Sequence, residues 1–111
     1  AAADERGFGR FTFDAAADLK EIYKYILFND SERSADNFVD NLRSKCLELK
    51  SFPNRGHVPP ELQLLHIQDF LEIHYKTYRI IYRINKKNVL IHCILDGRRE
   101  MEKLLQERLL G

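Results

Sequence analysis

The sequence predicts an α+β domain in which an N-terminal helical hairpin packs on a small antiparallel sheet, in the order β-α-α-β-β-β, followed by a C-terminal helix. Three observations predict this fold class. Apolar residues recur with a helical period through the first half of the chain. After a proline-containing loop at 53–60, this period gives way to the β-branched and aromatic runs that favour strands. A helical period returns near the C-terminus.

The helical hairpin is predicted after a short strand within residues 7–12. Apolar side chains spaced i, i+3, i+4 and i+7 indicate a first helix over about 14–28, with Asp14 as its N-cap. These side chains are Leu19, Ile22, Tyr23 and Ile26. A second stripe indicates a helix over about 32–51. Because only Asn29, Asp30 and Ser31 separate the two helices, we expect them to lie side by side and antiparallel.

Three strands are predicted as an antiparallel meander. The first lies within 65–73, and its pattern does not fix a register. The second, 78–84, is β-branched and aromatic throughout, and the third covers 89–95. Short polar turns at 76–77 and 85–88 join them. Helical spacing over 99–110 then predicts the last helix.

Both faces of this sheet are predicted to be apolar. Strict alternation places Arg79, Ile81 and Arg83 on one face of strand 78–84. In strand 89–95, alternation places Val89, Ile91, Cys93 and Leu95 on one face of the strand. It places Leu90, His92 and Ile94 on the other face. A sheet that is apolar on both faces needs a cover on each. For the face away from the hairpin, we expect the C-terminal helix, a partner, or both.

Composition indicates one globular domain. The chain has 111 residues, of which 44% are hydrophobic and 32% charged, which excludes disordered, collagenous and disulfide-dense classes. It contains neither a long apolar run nor a leader-like start, so we expect no membrane span and no signal peptide. We expect residues 1–10 to be a tail, processed or added, and residues 11–110 to form the domain. Cys46 and Cys93 are expected to be buried free thiols, which fits a cytoplasmic protein.

Charge is distributed unevenly along the chain. The net charge is +1, but residues 1–75 carry nine basic and thirteen acidic side chains, whereas residues 76–111 carry nine basic and four acidic ones. A basic C-terminal third favours an anionic partner, either a nucleic acid or an acidic peptide.

Few residues indicate conventional enzyme chemistry. The histidines at 57, 66, 74 and 92 have no close helical or finger-like spacing, so no metal site is expected. His92 could act as an acid–base group or fill half of a core position. Four arginines on or just after the central strands could bind phosphate or carboxylate groups, namely Arg79, Arg83, Arg98 and Arg99. Alternatively, Arg98 and Arg99 pair with nearby glutamates of the last helix.

The motifs in this order resemble the RelE/ParE superfamily of toxins from bacterial type II toxin–antitoxin modules, over about residues 11–110. The segments that carry this resemblance are Ala15-Ala16-Ala17-Asp18-Leu19, Pro53-x-x-Gly56 followed by Pro60-Glu61-Leu62, Tyr78-Arg79-Ile80-Ile81-Tyr82-Arg83-Ile84, and Ile94-Leu95-Asp96-Gly97-Arg98-Arg99-Glu100-Met101. The ending is similar to the ParE-like branch. The resemblance implies a cytoplasmic toxin of the plasmid-stabilisation type, neutralised by an antitoxin.

The resemblance implies two alternative activities. ParE-like members poison DNA gyrase, and RelE-like members cleave mRNA on the ribosome without a metal. The RelE arginines match Arg79 and Arg98, but its two lysines fall on Phe70 and Glu72, and its late tyrosine falls on Leu104. Gyrase inhibition is therefore the first hypothesis.

If the chain is a ribonuclease instead, the acid–base and charge-stabilising groups are expected among five residues, namely Arg79, Arg98, His92, His74 and Glu72. A third hypothesis is a toxin-like domain that only binds its partner. The sequence also departs from many ParE-like chains at Leu71, where an arginine is common.

The resemblance also implies the partners. We expect a toxin–antitoxin hetero-oligomer in which the antitoxin covers Arg79, Ile81 and Arg83 with acidic residues. The expected target-binding residues are Arg98, Arg99 and Lys103, on the basic C-terminal section. No cofactor and no membrane are expected to be involved.

Overall fold

The computed structural model describes residues 2–4, 10–86 and 88–111, with side chains from residue 10 onward. The strands are β1 (Ala2–Asp4), β2 (Arg10–Thr12), β3 (Leu71–Tyr75), β4 (Tyr78–Asn85) and β5 (Asn88–Asp96). The α-helices are α1 (Phe13–Asn29), α2 (Glu32–Ser51), α3 (Pro60–Gln63) and α4 (Met101–Leu105). There is also a short 3-10 helix at Pro53–Arg55 and a π-helix at Gln106–Leu110. This confirms the α+β layout. The expected strand at 7–12 is described only from Arg10, and Lys87 of the 85–88 turn also lies outside the described residues.

The helical hairpin forms as its periodicity predicts. Both helices begin at hydroxyl caps, because the side chain of Thr12 accepts from the Ala15 N–H and that of Ser31 accepts from the Ser34 N–H. The expected cap at Asp14 was therefore wrong by two residues: Asp14 lies in the first turn, where its charge favours the helix N-terminus. The buried side chains of α2 face α1 and the sheet, namely Ala35, Phe38, Leu42, Cys46 and Leu49.

The described strands form one sheet in the order β1-β2-β5-β4-β3. The predicted antiparallel meander is confirmed for β3, β4 and β5. The sheet as a whole is mixed, because β2 runs parallel to β5. Part of the expected tail also joins it, since β1 pairs antiparallel with β2.

A bulge in β5 changes which side chains share a face. Ile81 pairs with Cys93, whereas the next residue, Tyr82, pairs with Ile91, so His92 is an extra residue in the ladder. The strict alternation expected for strand 89–95 was therefore wrong. Val89, Ile91 and Ile94 belong to the core beneath the hairpin, and Cys93 and Leu95 belong to the opposite face.

The face away from the hairpin is covered by the chain itself. Seven buried residues form this second core, namely Leu62, Phe70, Ile81, Cys93, Leu95, Met101 and Leu105. They come from α3, the loop before β3, the sheet and α4, so the predicted cover by the C-terminal helix is confirmed. Leu65 and Ile67 were expected in the first strand of the meander, within 65–73. They lie instead in the turn and loop after α3. No helix in the described part of the chain is long and apolar enough to cross a membrane.

Candidate functional site

A charged cluster lies at the edge of the second core, where β3 meets β4. Its centre is Glu72, whose side chain is only 1% exposed. Arg79, on the neighbouring strand, donates from Nε to Oε1 of Glu72 at 2.6 Å and from Nη2 to Oε2 at 3.0 Å. It also donates from Nη1 and Nη2 to both oxygens of Glu61 on α3, at 2.9 and 2.7 Å. One guanidinium therefore joins α3, β3 and β4.

These contacts give Arg79 a structural role. Hydrogen bonding to Glu61, and then to Glu72, raises the pKa of Arg79 above its ordinary value, and the same contact with Arg79 lowers the pKa of Glu61. With its side chain 11% exposed, Arg79 is nearly enclosed by these contacts. A guanidinium that donates to two carboxylates in this way is poorly placed to bind a phosphate.

Two histidines stand on the solvent side of Glu72. The Nε2 atom of His57 lies 3.2 Å from Oε2 of Glu72, and the Nε2 atom of His74 lies 3.3 Å from Oε1. His74 is on β3 with Glu72, whereas His57 reaches it because its backbone pairs with that of Glu72 in both directions, at 3.1 and 2.7 Å. Both imidazoles remain more than half exposed.

The loop that carries His57 is held against the sheet by Tyr82. The Tyr82 hydroxyl donates to the Pro53 carbonyl at 2.6 Å and accepts from the Gly56 N–H at 3.0 Å. A Cβ atom at Gly56 would lie 2.5 Å from the Glu72 carbonyl oxygen and 2.7 Å from the Tyr82 hydroxyl. The Pro53-x-x-Gly56 motif therefore has a packing reason: only glycine allows the loop to approach β3 so closely.

The structure separates the residues expected for ribonuclease chemistry. Glu72, His74 and Arg79 come together, as described. His92 lies apart from them, with its ring 5.1 Å from that of Phe70, and burial followed by the charge of Arg83 lowers its pKa. Its Nε2 is buried and has no hydrogen-bond partner among the described residues. His92 therefore fills a half-buried position beside the second core.

Arg98 is held in a separate contact just after the C-terminal end of β5. It donates from Nε and Nη2 to the two oxygens of Asp96, at 3.0 and 2.6 Å. This contact lowers the pKa of Asp96 to about 2. Arg98, Arg99 and Lys103 are all exposed, so the expected target-binding residues lie on one surface segment that runs from the end of β5 into α4.

The residues expected to contact an antitoxin differ in accessibility. Ile81 is fully buried beneath α4 and Arg79 is enclosed by glutamates, so neither is available at the surface. Arg83 is half-buried, with its guanidinium carbon 5.8 Å from the centre of the Phe70 ring.

Sequence reasoning missed Glu61 and His57. Glu61 lies 18 residues before Arg79 and approaches it because α3 packs beside α4. The one signal in the sequence was the pair Pro60-Glu61, which is typical of a helix start. Sequence reasoning also missed the ion pair between Asp18 and Arg108, because the two residues are 90 positions apart in the chain. Asp18 accepts from Arg108 at 2.7 Å and from the Ile94 N–H at 3.0 Å.

Comparison with known proteins agrees with the fold and motifs. The family model described as the ParE toxin of type II toxin–antitoxin systems, parDE, matches residues 10–101. A solved chain described as the chromosomal ParDE toxin–antitoxin system from P. aeruginosa has a TM-score of 0.63 and 21% identity, over 76% of this chain and 88% of that chain. At this identity, the likeness shows the fold alone. No curated protein matches the sequence significantly.

Proposed function

The chain belongs to the ParE toxin family of type II toxin–antitoxin systems, and we propose that it arrests growth by poisoning DNA gyrase in the cytoplasm until a cognate antitoxin neutralises it. The observation that carries this proposal is the family match over residues 10–101, and the binding of Arg79 by Glu61 and Glu72 supports it.

The arrangement of the site favours gyrase over mRNA as the target. Cleavage by a 2′-hydroxyl requires one group to remove a proton, another to protonate the leaving oxygen and a cation for the phosphate. Arg79 is bound by Glu61 and Glu72, and His92 is half-buried away from it. The positions of the missing RelE groups are apolar at Phe70 and Leu104. Ribosome-dependent mRNA cleavage remains the alternative, through His74 and Arg98.

The target-binding surface that we propose is the exposed basic segment formed by Arg98, Arg99 and Lys103. Arg98 is oriented by Asp96, whereas Arg99 and Lys103 present their charge directly to solvent. Exposed cations at this position can contact an acidic surface of gyrase or the DNA bound to it.

The antitoxin is proposed to bind in a groove between α1 and α2. Apolar side chains line it, with Lys20 and Arg43 adding positive charge, and the apolar ones are Phe11, Ala16, Leu19, Tyr23 and Val39. A groove of this kind fits the apolar face of an amphipathic helix flanked by acidic residues. Arg83, on the other face, is a second contact, and Ile81 becomes accessible only if α4 moves away.

Two charge reversals distinguish these antitoxin surfaces. Lys20→Glu reverses a charge in the groove between α1 and α2, and Arg83→Glu reverses a charge on the opposite face. The matched control is Arg33→Glu, on the first turn of α2. We expect Lys20→Glu to weaken binding of the co-expressed antitoxin and Arg33→Glu to leave it unchanged. Equal binding by all three variants would exclude both surfaces.

An induction experiment tests the proposed target in cells. Pulse labelling after induction should show DNA synthesis stopping before protein synthesis, with both restored by the antitoxin. If protein synthesis stops first, the mRNA alternative is correct. If a folded, abundant chain causes no growth defect, the domain only binds its partner.

A further inference from the structure

The cluster formed by His57, Glu72 and His74 has the composition of a transition-metal site. Among the described residues, these three place one ligand atom each within 4.8 Å of one another. The spacing of these residues in the sequence does not predict such a site, because His57 lies 15 residues before Glu72. The backbone pairing of His57 with β3 brings the two together.

The two nitrogen–oxygen distances in the cluster match the spacing of ligands around zinc. Zn–N and Zn–O bonds of about 2.0–2.1 Å in a tetrahedral site place neighbouring ligand atoms about 3.3 Å apart. The two imidazole nitrogens lie 3.2 and 3.3 Å from the Glu72 oxygens. Two imidazoles and one carboxylate are also the ligand types that zinc and its first-row neighbours prefer, whereas magnesium and calcium prefer oxygen alone.

Arg79 holds the Glu72 carboxylate in place for such a site by donating hydrogen bonds to both of its oxygens. Each carboxylate oxygen carries two lone pairs, so it can accept from Arg79 and still bind a cation. The hydrogen bonds from Arg79 fix the orientation of Glu72, as hydrogen-bond donors to a ligating carboxylate commonly do. The cluster of Glu61, Glu72 and Arg79 is net negative when the histidines are neutral, which favours a divalent cation.

We propose that His57, Glu72 and His74 bind one zinc ion, or a related first-row divalent cation, at the edge of the sheet. The imidazole Nε2 atoms of His57 and His74 and one or both oxygens of Glu72 are the protein ligands. Because both histidines are more than half exposed, water completes the coordination. The ion would connect the 53–59 loop to β3. This site is independent of the proposed action on gyrase.

Calorimetric titration of the untagged, metal-free chain with zinc chloride tests the site. We expect saturable binding of one ion per chain. His57→Ala and His74→Ala should each weaken binding at least about tenfold, since even loss of an outer partner of a metal ligand commonly costs that much. Because both side chains are largely exposed, both variants should retain the circular dichroism spectrum of the unmodified chain.

The matched control is His66→Asn, which removes a histidine outside the cluster. Its backbone has φ of 60°, a conformation that asparagine tolerates well, so the variant should fold and bind zinc as the unmodified chain does. Absence of saturable zinc binding by the folded chain would overturn the proposal. So would equal affinity in His57→Ala, His74→Ala and the unmodified chain, because the ion would then be bound elsewhere.

Discussion

Arg79 and Glu72 form a buried, two-point ion pair between neighbouring strands, with donor–acceptor distances of 2.6 and 3.0 Å. Glu61 closes the other side of the guanidinium. The arginine that matches one of the two RelE arginines is thus a structural element of this chain. The chain keeps the overall fold of the family, and in it Arg79 joins α3 to the sheet.

Removing Arg79 should destabilise the domain strongly. Arg79→Ala leaves Glu72 buried without its cation, and loss of one partner of a buried ion pair typically costs about 3–5 kcal/mol. Arg83→Ala, on the same face of the same strand, should cost under about 1 kcal/mol, because it removes one partly exposed contact. Urea unfolding measures both free energies, and an Arg79→Ala loss no larger than that of Arg83→Ala would contradict the structural role.

Gly56→Ala should also destabilise the fold. The added Cβ would lie 2.5 Å from a backbone oxygen of β3, so the loop or the strand has to shift, at a cost of about 1–3 kcal/mol. Ser51→Ala, at the exposed end of α2, is the control and should change stability little. The thermal midpoints of the two variants give the comparison, and equal midpoints would mean that the loop is not held against β3.

The contact between Glu61 and Arg79 should make stability depend on acid pH. Because this contact lowers the pKa of Glu61 in the folded state, its contribution is fully present above the ordinary value of 4.5. It is lost as the pH falls from there through the folded-state value. Urea midpoints measured from neutral pH downward should therefore fall more steeply for the unmodified chain than for Glu61→Gln. Parallel curves would show that the pair contributes nothing.

Both cysteines should be unreactive in the native state. Burial raises the pKa of Cys46 and of Cys93 to about 12, so neither forms appreciable thiolate at neutral pH. An alkylating reagent should modify no thiol in the folded chain and both thiols in urea, as mass spectrometry can count. Rapid modification of one thiol in the native chain would show that its side of the core opens.

Local pattern and long-range packing explain what the sequence could predict. The hairpin helices and strand β4 follow from the period of their own apolar residues, such as Leu19, Ile22 and Ile80, which is a local property. The bulge at His92 could not be predicted, because alternation assumes an unbroken ladder and an inserted residue is decided by packing on both faces of the sheet.

The candidate site was predicted only in part for the same reason. Glu72 and His74 are two residues apart on one strand, so their shared face was visible in the sequence. The approach of His57 depends on a loop that Tyr82 holds, and that of Glu61 depends on α3 packing against α4. Contacts over such separations leave no periodic trace in a single sequence.

The most direct test of the proposed function is a DNA-cleavage and supercoiling assay with purified gyrase. The unmodified chain should make gyrase accumulate cleaved DNA, and its antitoxin should abolish the effect. The exposed double variant Arg99→Glu/Lys103→Glu should fold normally and lose most of this activity, whereas Arg33→Glu should retain it. If the folded, unmodified chain leaves gyrase unaffected but cleaves mRNA on ribosomes, the proposal is wrong and the RelE-like alternative holds.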